Sequence, residues 1–294
     1  MKQFFLTIPI GVRYVLMSAF GFSLMAVCVK FASVRGIPVL EIVAARALVS
    51  LGLSVMDVRR KGISLIGHRR GLLLSRGVVG SLALICVYYA LTKLPLAEAT
   101  VLQYLHPMFT AILAFWFLKE RLHLSTIACV IFSFLGLLLV SRPTFLFENF
   151  GVAHSTLDFW AVGAAVLGAF GSAVAYVLVR KLNETEDSSV IIFYFPLIAL
   201  PLSLVLLGND FVWPTGWSWL LLLLVGVFTQ IGQIGLTKAM QTETASKATA
   251  FSYLQVVFAA VLGWLFFSEM PDIWTFSGAA LILLGAIVNG FWKR

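Results

Sequence analysis

The stretch QYLHPMFTAILAFWFLKE, Gln103 to Glu120, returns in altered form as SYLQVVFAAVLGWLFFSE, Ser252 to Glu269, 149 positions later. The same offset pairs Ala90 with Ala239, Ala99 with Ala248, Thr100 with Thr249, Tyr104 with Tyr253, Phe109 with Phe258, Thr126 with Thr275 and Gly136 with Gly285. Towards the start of each copy, GAFGSAVAYVLVR at 168–180 echoes SAFGFSLMAVCVK at 18–30. The chain reads as one unit written twice, residues 1–149 and 150–294.

Composition says what the unit is made of. Hydrophobic residues make up 61% of the chain, charged residues 12%, and the mean hydropathy is +1.00. A water-soluble domain cannot hide that much apolar surface. The apolar residues fall into ten runs, at 14–34, 38–56, 71–92, 97–118, 123–141, 158–180, 189–208, 217–237, 247–267 and 273–292. Each is long enough to cross a bilayer as a helix. The runs are continuously apolar, whereas strands of a membrane barrel alternate polar and apolar positions. Arg13 interrupts the first run and no small-residue cleavage site follows, so that run is read as a retained helix.

Ten helices in two copies give five per copy. Because five is odd, the second copy enters the membrane from the opposite side and is inverted relative to the first. The expected fold is therefore all-α, with ten transmembrane helices arranged as two inverted five-helix repeats. Such repeats rock between outward-open and inward-open forms around a midplane site.

Lys and Arg give an orientation. Of the 21 basic residues, 15 fall on one set of flanks, including Lys2, Arg13, Arg59, Arg60, Lys61, Arg69, Arg70, Lys119, Arg180, Lys181, Lys293 and Arg294. The opposite set holds Lys30, Arg35, Lys93 and Arg142, while Arg46 and Arg76 lie inside helices. The positive-inside rule then puts both termini in the cytoplasm, with a plasma (inner) membrane location expected. Topology accounts for the net charge of +8, so a nucleic-acid partner has no support. Cys28, Cys86 and Cys129 stand apart within apolar runs and suit small buried hydrophobes, so neither a metal nor another cofactor is implied.

The segments YYALTKLPLAEATVLQYLHPMFTAILAFWFLKERL at 88–122 and AMQTETASKATAFSYLQVVFAAVLGWLFFSE at 239–269 resemble those of the drug/metabolite transporter superfamily, specifically its EamA-type members. With VSRPTFLF at 140–147, the first also resembles the subfamily G branch of solute carrier family 35. The resemblance implies a secondary carrier with the third, fourth, eighth and ninth helices around a central cavity. It also implies a recurrent arginine at Arg46. No GxxxxGK[ST] motif appears, so energy would come from a gradient or from exchange, with a proton or counter-substrate as candidate coupling partner.

Polar side chains inside the runs mark the candidate site, since each is costly in hydrocarbon. Gln103, His106 and Thr110 share one face of the fourth helix, Ser252 and Gln255 one face of the ninth, and Gln230 and Gln233 one face of the eighth. Tyr89 and Tyr253 could line the pore or stack on a flat substrate. The alternative for each is an interhelical hydrogen bond or ordinary packing. Pro107 breaks the local helix bonding beside His106, the one titratable group near the centre of its helix and hence a candidate for proton coupling. Arg46, deep in the second helix, reads as a substrate-anion contact or a partner of backbone carbonyls. Arg76 lies about five residues from the cytoplasmic end of its run and is expected to snorkel there in a gating or structural role. Glu120 and Glu269 end their helices on opposite faces and are expected to fix loops or gates. The stripe Ala161, Ala165, Gly168, Ser172 and Ala175 suits close helix packing, and Gly278, Gly285 and Asn289 would permit pairing of two copies in a homodimer.

An enzyme would need a catalytic constellation at depth, yet Asp57, Asp158, Asp187, Asp210 and Asp272 all fall at or beyond helix ends. The expected function is secondary-active or facilitative transport of a small polar organic metabolite, an amino acid or organic acid being favoured. Nucleosides, nucleotide sugars and drugs are the competing substrates, and a non-transporting scaffold or receptor is the competing class.

Overall fold

The computed structural model describes residues 9–94, 96–143, 146, 158–268 and 270–291. Among them are ten helices long and apolar enough to cross a bilayer, and no strand. They are α1 (Ile10–Val34), α2 (Val39–Lys61), α3 (Arg70–Lys93), α4 (Leu96–Gln103 and His106–Phe117), α5 (Leu124–Ser141), α6 (Phe159–Leu182), α7 (Ser188–Leu207), α8 (Trp217–Thr242), α9 (Ala245–Phe267) and α10 (Ile273–Phe291). Hydropathy places these helices well but truncates them at the first charges. α2 runs on through Asp57, Arg59 and Arg60 and stops at Gly62, whose φ of +65° is the left-handed cap that glycine supplies.

The two halves are interlaced. α1 packs along α8, and its counterpart α6 packs along α3; α2 lies against α7, α5 against α10 and α4 against α9. Every one of these pairs joins one half to the other, and the set maps onto itself when the halves are exchanged. Lipid offers no hydrophobic drive for helix association, so close approach rests on small side chains. On α6, Ala161, Ala165 and Ala175 are buried, and a Cβ added to Gly168 would stand 3.1 Å from the Ala83 carbonyl of α3. The residues expected to pair two copies are used inside the chain instead. Gly278 meets Gly136 of α5, Gly285 meets the Cys129 carbonyl, and Asn289 accepts a hydrogen bond from Thr126 (3.1 Å).

Candidate functional site

The fourth run is not one continuous helix. It breaks after Gln103, and Pro107 stands in the first turn of the second segment, where a missing N–H costs little. The ninth changes to a tighter 3₁₀ turn at Phe251–Tyr253. Tyr104 and Tyr253 are repeat counterparts, so both copies interrupt the helix at the same place, although Val256 occupies the position of Pro107 in the second copy. The two breaks meet. Tyr253, fully buried, donates its hydroxyl to the Tyr104 carbonyl at 2.7 Å, and the two rings stack with centroids 5.4 Å apart. A contact between counterparts marks the two-fold axis relating the repeats.

His106 lies beside this axis, only 8% exposed. Its ring centroid is 5.8 Å from that of Tyr104 and 5.3 Å from that of Tyr176 on α6. Nδ1 stands 3.2 Å from the Gln103 carbonyl, which can only accept, so Nδ1 carries the proton. Nε2 then presents its lone pair to the Ser252 hydroxyl, 3.5 Å away. The Thr110 hydroxyl caps the His106 carbonyl at 2.7 Å. Gln103, Gln233 and Gln255 are half-buried, and the Gln255 carbonyl accepts from Ser23 of α1 at 3.1 Å. Gln230 is tied more firmly. It accepts from Ser50 at 2.5 Å and donates to Ser54 at 3.0 Å, fixing the α2 face on which Arg46 lies one turn from Ser50. Tyr89 is 43% exposed.

The two intramembrane arginines converge on one aromatic ring. Arg46 has its guanidinium carbon 5.8 Å from the centroid of Phe195 on α7, and that of Arg76 is 4.7 Å from the same centroid. Neither has a carboxylate partner among the described residues; Arg46 also approaches the Met25 sulfur, at 3.9 Å, and both guanidinium groups lie within electrostatic reach of Tyr176. Arg76 does not snorkel to the nearby helix end, as the sequence leads one to expect, for it is 4% exposed. A Cβ on Gly80 would lie 3.0 Å from its Nη1 and 3.1 Å from the Phe195 ring. The bare glycine one turn on admits the guanidinium, which therefore turns into the bundle.

Glu120 sits at the end of the bundle rich in Lys and Arg. Its carboxylate accepts from the Ala245 amide at 3.0 Å, from the Ser246 amide at 3.5 Å and hydroxyl at 3.4 Å, and from Arg180 Nε at 3.3 Å. Arg180 also donates to the Met240 carbonyl at 2.6 Å. A carboxylate of the first half thus caps the N-terminus of α9 in the second, where free amides and the helix dipole favour an anion. At the same end the buried Glu186 accepts from the amides of His68 (2.7 Å) and Arg69 (2.5 Å). Glu269, the counterpart of Glu120, lies outside the described residues. At the other end Glu41, buried, accepts from the Val212 amide at 2.9 Å.

Tyr176, Phe195 and Arg180 join the candidate site in the structure, although the sequence does not single them out. The first two are aromatics in apolar runs with no signal of their own. Arg180 had one, since the echo of 18–30 in 168–180 sets it opposite Lys30.

Ten interlaced helices in inverted repeats, with polar side chains gathered where two broken helices cross and two buried or half-buried arginines against α7, define a membrane transporter. The chain belongs to the EamA-like transporter family, whose pattern matches residues 9–142 and 159–291. It is 35% identical over 285 residues to the pseudopaline exporter CntI of Pseudomonas aeruginosa, covering 97% of both chains. It is 33% identical over 287 residues to solute carrier family 35 member G1 of Mus musculus, covering 94% of this chain and 76% of that protein. A solved crystal structure superimposes with a TM-score of 0.79 at 19% identity, covering 95% of this chain and 97% of that one, and shares the fold.

Proposed function

We propose that the protein carries a small, polar, carboxylate-bearing metabolite, an amino acid or organic acid, by alternating access about the Tyr104–Tyr253 axis. The observation that carries this reading is Arg46, a half-buried guanidinium between Met25 of α1 and Phe195 of α7 with no carboxylate partner among the described residues. A cation held in a low-dielectric interior requires an anion, and a transported one satisfies it only while bound. The relation to a protein named as an exporter, over nearly its whole length, supports carriage in preference to a scaffold or receptor role.

His106 couples transport to protons in this scheme. Its Nε2 faces Ser252 across the axis, so a proton taken up there places a second positive charge next to the substrate carboxylate. Glu120 acts as one gate, holding the basic end closed through α9 and Arg180. By repeat correspondence Glu269 is the candidate for the other. The basic end, with both termini, faces the cytoplasm of a plasma (inner) membrane.

The test is uptake into proteoliposomes preloaded separately with amino acids, mono-, di- and tricarboxylates, nucleosides or nucleotide sugars, comparing the native chain with Arg46→Ala and His106→Ala. Uptake of a carboxylate class that collapses in Arg46→Ala is the expected outcome, with dependence on a pH gradient lost in His106→Ala. Selective uptake of a neutral nucleoside untouched by either substitution would overturn the substrate class. No uptake from any pool by folded, inserted protein would overturn carriage itself.

A further inference from the structure

Arg76 has no role in the scheme above, yet it is the more demanding of the two arginines. It is 4% exposed, its Nε and Nη1 are buried with no hydrogen-bond partner, and it has no carboxylate among the described residues. Side chains on a helix tilt towards its N-terminus, and for α3 that direction leads to the basic end and water. Arg76 goes the other way, over Gly80 and onto Phe195, where Arg46 also lies. Both distances are to one ring centroid, so the two guanidinium carbons are no more than about 10.5 Å apart. Two like charges that close in a low-dielectric interior repel strongly unless an anion is shared between them.

We propose that Arg46 and Arg76, held by the common Phe195 ring, are a two-point anion clamp, and that the transported substrate is a dianion: a short organic acid with two carboxylates. Nε and Nη1 of Arg76 are buried donors without an acceptor, and an anion drawn to this site would supply one. Phe195 holds the guanidinium carbon of Arg76 4.7 Å from its ring centroid, a cation–π contact that fixes the group without using its N–H donors. Tyr176, whose ring lies tilted 5.3 Å from that of His106 and within electrostatic reach of both guanidinium groups, joins the clamp to the axis. This inference rests on the carrier reading and adds to it the number of charges the substrate bears.

The test compares a dianion with a monoanion of nearly the same shape. Initial uptake of succinate and glutarate into proteoliposomes is measured against that of their half-amides, for the native chain, Arg76→Gln and Arg76→Lys. The native chain is expected to prefer each diacid at least tenfold. Arg76→Gln should lose roughly 10- to 100-fold on the diacids, as for one charge-assisted hydrogen bond, and less than threefold on the half-amides. Arg76→Lys should recover part of the diacid rate. If Arg76→Gln does not fold, Gly80→Ala, which keeps both charges but crowds Nη1, should reduce the same preference. Equal uptake of diacid and half-amide by the native chain, or an equal loss of both in Arg76→Gln, overturns the clamp. Uptake of another class with both probes refused overturns the clamp and leaves carriage standing. No uptake of anything by folded, inserted protein removes the carrier reading beneath it.

Discussion

Replacing Glu120 by Ala should release the N-terminus of α9. The carboxylate is the acceptor for the Ala245 amide at 3.0 Å and a weaker one for Ser246 at 3.5 Å. Its Arg180 contact, 3.3 Å long with the guanidinium side chain 31% exposed, is discounted for solvent screening. One charge-assisted hydrogen bond from a helix-terminal amide leaves about 2 to 3 kcal/mol. That corresponds to a factor of roughly 30 to 150 in the opening equilibrium. Hydrogen exchange of the peptide spanning 244–250 reads it directly, because the Ala245 amide loses the acceptor that protects it. Glu120→Ala should exchange there faster by that factor, and Glu120→Gln, which keeps an acceptor without the charge, by about fivefold. The peptide spanning 14–34 in α1 should be unchanged in both. Protection of 244–250 that is the same in Glu120→Ala as in the native chain would refute the capping argument and with it the gate.

Gly168→Val should destabilise the bundle severely, by about 3 kcal/mol or more, because its Cβ would press on the Ala83 carbonyl from 3.1 Å; loss of monodisperse protein in size-exclusion chromatography, or a sharply lower Tm, checks this. Asp272 gives a pH dependence. The Thr275 amide and hydroxyl, and then Arg142 at 2.9 Å, hold its carboxyl below the usual 3.8. A depressed folded value means that its stabilisation is fully present above the ordinary carboxylate range and lost as pH falls through the folded pKa. Thermal unfolding should show Asp272→Asn lowering Tm by about a degree or two at pH 7, with the gap narrowing as pH falls below the ordinary carboxylate range.

Helices and repeat were legible because each has a one-dimensional signature, a long apolar run and a fixed offset. The crossing point was only half legible. Pro107 announces the break in the first copy, but Val256 announces nothing in the second, where the repeat's own geometry imposes the turn. His106, Gln103 and Gln255 were singled out as candidates because polar groups stand out in apolar runs. The same reasoning could not tell that Gln230 is consumed by Ser50 and Ser54, since a hydrogen-bonded amide and a ligand-facing one look alike in sequence. Arg76 was misplaced for a different reason. Depth along a helix gives the distance to water but not the direction of the side chain, and that direction is decided by the absence of a Cβ on Gly80.

The hydrogen bond from Tyr253 to the Tyr104 carbonyl joins two residues that the repeat makes equivalent, yet a hydrogen bond has a giver and a taker. Exchanging the halves turns it into a bond from Tyr104 to the Tyr253 carbonyl, at the same spot and with the polarity reversed. In the structure described here the hydroxyl proton points from the second half to the first, so in the proposed alternating-access scheme its direction would report which half leads.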